Sequence, residues 1–314
     1  MGDYKVHMEN NKINCSWRSL LRSTYQEWSE DCALRFSAAL SYYAVFSLAP
    51  LLIIAIAVAG LVFGEQAARG EISQQLSHLV GAKAASEIQG LIQASGDKPK
   101  SAIATALGVI TLVLGASGVF GQLKDALNTI WGVRLPPGTV LRRFIRDYLL
   151  SFGMILAVGF LLIISLLLTT GMQAFSRYMT GMVLLPHFAA PMTELFSFVL
   201  VSLLFALIYK VLPDVHLRLR DVRVGAIVTG LLFTAGKYLI ALYLATSSVA
   251  SSFGAAGALI LVLVWIYYST VIFFFGAEFT KVYSRACGGG VVPSGHATFV
   301  TREMRLEQGL SKGD

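Results

Sequence analysis

Apolar residues run for the length of a bilayer core six times along the chain. The runs fall at about 36–62, 101–123, 148–170, 194–212, 222–245 and 255–280. A helix rising about 1.5 Å per residue crosses a hydrocarbon core of about 30 Å in any one of them. No soluble core consumes six such runs in series, so the pattern predicts an all-α membrane protein with six transmembrane helices. Ahead of the first run, Trp17, Leu20, Leu21, Thr24 and Trp28 recur at helical spacing, and Arg18, Arg22, Glu27 and Glu30 fall outside that stripe. This predicts an amphipathic helix over 15–31. It lies either in the membrane interface, with its tryptophans at headgroup level, or on the protein's own cytosolic face.

The polar stretches between runs add further elements. In the long connection 64–100, Ile72, Leu76, Leu79, Val80, Ile88, Leu91 and Ile92 keep a helical period that Gly81 interrupts. Two short external helices follow from that. The segment QLKDALNTIWGV prolongs the second span as a helix until Pro136 and Pro137 stop it. Residues 286–314 read as a disordered tail. The organisation is thus a cytosolic arm 1–35, a six-span domain 36–285 and the tail, with no internal repeat.

Composition agrees with the spans: of 314 residues, 55% are hydrophobic and 14% charged, against about 25% charged in soluble domains. The net charge of +7 would suggest nucleic acid in a soluble protein, but here its distribution follows the membrane. Nineteen of the 25 Lys and Arg residues lie in the N-terminal arm, the second and fourth connections and the tail; five lie in the odd-numbered connections, and Lys237 is within a span. That asymmetry predicts both termini on the cytosolic side of the membrane and removes the reason to expect nucleic-acid binding. The N-terminal segment lacks the pattern of a cleavable signal, and Val6 breaks the myristoylation pattern. Cys15, Cys32 and Cys287 all fall on the cytosolic side, so reduced thiols and no disulfide are expected.

Four segments carry a family resemblance. They are RSLLRSTYQEWSEDCALRFSAALSYYAVFSLAPLLIIAIA, GASGVFGQLKDALNTIWGV, FTAGKYLIALYL and SSFGAAGALILVLVWIYYSTVIFFFGAEFT. In order and spacing, over about residues 16–285, they resemble the family that includes YihY and the virulence factor BrkB. The resemblance implies a six-span bacterial inner-membrane protein tied to envelope integrity and serum resistance, with a proposed part in moving lipids or other envelope components. It also carries an old label, ribonuclease BN. The residues argue against that label. His7, His78, His187, His216 and His296 are scattered along the chain, and the topology puts them on both sides of the membrane, whereas metal-dependent cleavage needs converging ligands. There is no phosphate-binding loop and no nucleophile elbow. No enzymatic activity, cofactor or metal is expected.

Charge within a bilayer is costly and marks function or a paired structural role. On a helical wheel of the fifth span, Lys237 shares a sector with Gly225, Ala226, Thr229, Gly230, Phe233, Gly236 and Ile240. Ile227, Val228, Leu231, Leu232, Tyr238, Leu239 and Leu242 lie opposite. Small residues favour helix contact and aliphatics favour lipid, so Lys237 faces the bundle. Lys237, Thr229, Gly236, Tyr42 and Tyr43 form the candidate intramembrane polar site. Glu278 is a poor partner for Lys237, because the two differ in depth by about 16 Å; Arg223, Lys281 or Lys124 suits it better. Arg35, Lys124, Asp125, Arg220, Asp221, Arg223, Glu278 and Lys281 form a candidate cytosolic rim, read either as residues that set topology or as a mouth for anionic headgroups. Pro50 is expected to kink the first span. These features predict a transporter or translocator of lipid or another amphipathic envelope component; the alternative is a non-transporting scaffold or regulator of envelope integrity. Expected partners are membrane lipids, a second copy of the chain or envelope-assembly proteins.

Overall fold

The computed structural model describes residues 15–46, 86, 90, 118–134, 185–246, 257–295, 297–301, 304 and 305. The expected external helices of 64–100, the kink at Pro50 and the third span lie outside the described residues. What is described is mostly helical: α1 (Trp17–Glu30), α2 (33–46), α3 (118–130), α4 (Leu185–Val211), α5 (Leu219–Thr246) and α6 (Gly257–Ala286). Among the described residues, three segments are long and apolar enough to cross a membrane: Glu194–Val211, Leu219–Ile240 and Ile260–Ala286. Helix α5 packs between α4 and α6, and α1 packs on α6.

The wheel of the fifth span matches its burial. Gly225, Ala226, Thr229, Gly230, Gly236 and Ile240 are buried, whereas Ile227, Leu231, Leu232, Tyr238, Leu239 and Leu242 are exposed. The close approach to α6 is reciprocal. A Cβ on Gly225 would collide with the Thr280 side chain, and a Cβ on Gly276 would collide with Thr229. Each threonine hydroxyl is satisfied within its own helix, Thr229 Oγ1 donating to the Gly225 carbonyl and Thr280 Oγ1 to that of Gly276, both at 2.7 Å. Two antiparallel glycine–threonine pairs thus close the gap between backbones without leaving a hydroxyl stranded in an apolar contact. On the other flank, Gly230 admits Ser202 and Phe198 of α4.

At one end of the bundle the connections lock together. Helix α3 ends at Trp131 and Gly132, before the expected stop at the prolines, because Gly132 takes a left-handed conformation (φ +63°). The chain then forms β1 (Val133–Arg134), and the 212–218 connection forms β2 (Val215–His216). The segment after α6 supplies a partner for each. β3 (Val292–Pro293) pairs antiparallel with β2, and β4 (Thr298–Phe299) pairs antiparallel with β1. The tail is therefore ordered over its first half, contrary to the disorder expected from its composition, because these loops offer it backbone partners. Beneath the strands lie Leu127, Ile130, Trp131, Val133, Leu212, Val215 and Val291, all buried in one core.

The cysteines also depart from expectation. Cys15 and Cys287 form a disulfide with a Cα–Cα distance of 5.6 Å, and Cys32 alone is free. A sequence separation of 272 residues hides this pair; only the packing of α1 along α6 brings the two thiols together.

Candidate functional site

Lys237 projects from α5 towards α4 and pairs with Glu194 at 3.2 Å. The match in depth is a consequence of length: Glu194 lies nine residues after the start of α4, and Lys237 lies nine residues before the end of the antiparallel α5. Both are therefore about 14 Å in from the same end of the bundle. The lysine side chain is 15% exposed and the glutamate 48%, so the pair borders a surface rather than a core. Its ammonium also lies 4.9 Å from the Tyr238 ring centroid. The small-residue face does direct Lys237 inwards, but the partner is Glu194. Glu194 is the first residue of the apolar span Glu194–Val211, as the run 194–212 predicts, while α4 itself begins nine residues earlier.

The other members of the expected intramembrane site are not gathered around Lys237. Thr229 is buried, with its hydroxyl 3.3 Å from that of Tyr209, and Tyr209 donates to the Phe273 carbonyl at 2.7 Å. Gly236 is closed off by Tyr268 and Ile272 of α6. Tyr42 and Tyr43 are exposed on α2, in edge contact with each other, and the Tyr43 ring covers Gly118.

The second polar centre sits where α1 meets the end of α6. Lys281 is 3% exposed and lies 2.7 Å from Glu27, 2.9 Å from Asp31 and 2.7 Å from Glu278. Arg285 reaches Glu27, and Arg305 reaches Asp31. Three cations and three carboxyl groups thus meet within one cluster. Burial opposes ionisation of Glu27, but Lys281 and Arg285 more than offset it and hold its carboxyl below the usual range. Burial acts the same way on Asp31; Lys281 and Arg305 together hold that carboxyl below the usual range as well.

Two smaller networks tie the connections to this end. Lys124 pairs with Asp214 at 3.2 Å; Asn128 Nδ2 donates to the same carboxylate at 3.0 Å, while the Asp214 N–H donates to Asn128 Oδ1 at 2.9 Å. Asp221 is buried and accepts from Ser284 Oγ at 2.9 Å and from the Gly289 N–H at 3.0 Å. The expected rim therefore divides. Lys124, Asp221, Glu278 and Lys281 are buried in pairs, whereas Arg35, Asp125, Arg220 and Arg223 remain exposed. Of the three basic residues offered as partners for Glu278, Arg223, Lys281 and Lys124, it meets Lys281. A single basic mouth is not what these residues build, because the two lysines that would line it are neutralised by carboxylates.

The family model described as virulence factor BrkB matches residues 24–297. The chain belongs to the BrkB family. Its relatives are named as membrane proteins. A UPF0761 membrane protein of Klebsiella pneumoniae is 29% identical over 213 residues, 67% of this chain and 71% of that protein. One from Cronobacter sakazakii is 27% identical over 268 residues, 84% of this chain and 87% of that protein. The UPF0761 membrane protein YihY of Escherichia coli is 30% identical over 177 residues, 56% of this chain and 58% of that protein. No solved structure matches the chain. The match to the BrkB family begins within α1 and ends between β3 and β4, so it takes in both polar centres and most of the interlocked end.

Proposed function

We propose that this BrkB-family membrane protein is a non-enzymatic transporter or translocator of lipid or another amphipathic envelope component, working in the bacterial inner membrane with both termini in the cytosol. The observation that carries the reading is the Lys237–Glu194 pair, a partly open ion pair at the shared end of two antiparallel spans, Glu194 opening one and Lys237 lying three residues before the end of the other. A charge pair at the mouth of two spans, with access to its surroundings, exchanges partners readily: an anionic headgroup entering beside α4 takes the place of Glu194 on Lys237 and is released when Glu194 returns. The interlocked end supports a division of labour, since it holds the opposite ends of the spans fixed while the pair opens. Purified protein in vesicles, assayed for transbilayer movement of a fluorescent anionic lipid, tests this. Lys237→Met and Glu194→Gln should each lose most of the flux; flux equal to wild type in both would remove the mechanism.

A second reading, a non-transporting scaffold for envelope assembly, is favoured by the ordered strands and charge networks that give the cytosolic end a fixed shape. Stoichiometric partners crosslinked to that end, together with no flux, would select it.

A further inference from the structure

We propose that Cys15 and Cys287 form a thiol–disulfide exchange site, reduced by a cytosolic dithiol, whose state decides whether the start of α1 is fastened to the end of α6. The bond lies at the end of the molecule shared by the N-terminal helix, the 131–134 and 212–218 connections and the tail. These are the segments whose Lys and Arg content assigns them to the cytosol. Disulfides there are uncommon and serve transient or sensing roles, because the compartment keeps thiols reduced. The site is also reachable: Cys15 is exposed and Cys287 half-buried.

Helix α1 is held to α6 at both ends. At its start are the disulfide and Trp17, whose ring stacks on Phe279 at 5.8 Å. At its far end Glu27 and Asp31 grip Lys281. A thiolate of the dithiol attacks one sulfur and displaces the other as a thiolate; the second thiol of the dithiol then resolves the mixed disulfide. Two electrons pass to the protein pair, two protons end on Cys15 and Cys287, and the dithiol leaves as its own disulfide. Afterwards only the Trp17 stack and Leu20 packing on Phe279 hold the first turns, which open more readily while the charge cluster keeps the far end. This needs cytosolic placement of the site and not the transport reading.

The test uses full-length protein in membrane vesicles of both orientations, treated with reduced thioredoxin, a protein dithiol that cannot cross the bilayer. Blocking with N-ethylmaleimide and mass measurement should count one free thiol per chain before treatment and three after it, in inside-out vesicles alone. Trypsin should then cut at Arg18 and Arg22 faster in the reduced state. Cys15→Ser should be cut at the fast rate whatever the reductant, and Cys32→Ser should respond as wild type does. A pair that stays closed in inside-out vesicles, a pair reduced in right-side-out vesicles, or equal cleavage rates in the two states would overturn the proposal.

Discussion

Lys237 and Lys281 are both lysines in long apolar helices, and their surroundings differ in every respect that matters. Lys281 has three carboxylates within 2.9 Å, drawn from α1 and from its own helix, and is almost completely buried. Lys237 pairs with one half-exposed glutamate at 3.2 Å. A buried charge needs several partners to repay its desolvation, and once repaid it is rigid. A charge with one open partner is cheap to unpair. The first arrangement suits a lock and the second suits a contact that is made and broken.

The sharpest way to break this comparison is to remove the lock. Lys281→Met strands three carboxylates at one buried point and should cost roughly 3–5 kcal/mol, read as a large fall in the melting temperature of the detergent-solubilised protein. A small change there would mean that the cluster is not holding α1 to α6. Next comes the contact between spans. Gly276→Val drives a side chain into Thr229 and should cost about 1–3 kcal/mol, with Gly276→Ala showing a smaller loss of the same sign. Acid titration separates the two lysines further. Glu27 and Asp31 have folded-state pKa values below their ordinary ones. Their contribution is therefore complete above the unfolded values of about 4 and is lost as pH falls through the lowered folded values. Thermal stability should hold steady from neutral pH down to about 5 and fall below about 4, and Glu27→Gln with Asp31→Asn should flatten that fall. The smallest effect on stability is expected from Lys237→Met, about 1 kcal/mol or less, because its partner is half exposed. A loss as large as that of Lys281→Met would erase the distinction.

The parts of this arrangement that a single segment encodes were legible beforehand. The face of α5 that carries Gly225, Thr229 and Gly236 follows from a wheel, because helical period alone decides which residues meet a neighbour. The alternation of Lys and Arg grouped the arm, the 124–146 and 210–223 connections and the tail, and the structure brings the described parts of all four to one end. Pairings between distant segments were not legible. Strands of two residues have no period to detect, so Val215 and Thr298 looked like coil. Cys15 and Cys287 carry no spacing signal across most of the chain. Glu194 heads the run read as the fourth span, and only the packing of α4 on α5 shows that it meets Lys237.

The sequence separations at the interlocked end bear on the order of biosynthesis. Lys281 meets Asp31 across 250 residues, and Cys15 meets Cys287 across 272. Helix α1 leaves the ribosome among the first segments, yet Glu27 and the adjoining Asp31 do not meet Lys281 until α6 has been made and inserted. Chains that assemble as they are synthesised complete local structure first and long-range contacts last. The lysine cluster and the two small sheets therefore close only on a chain in which α6 is in place, which makes their closure a physical record that α6 has been inserted.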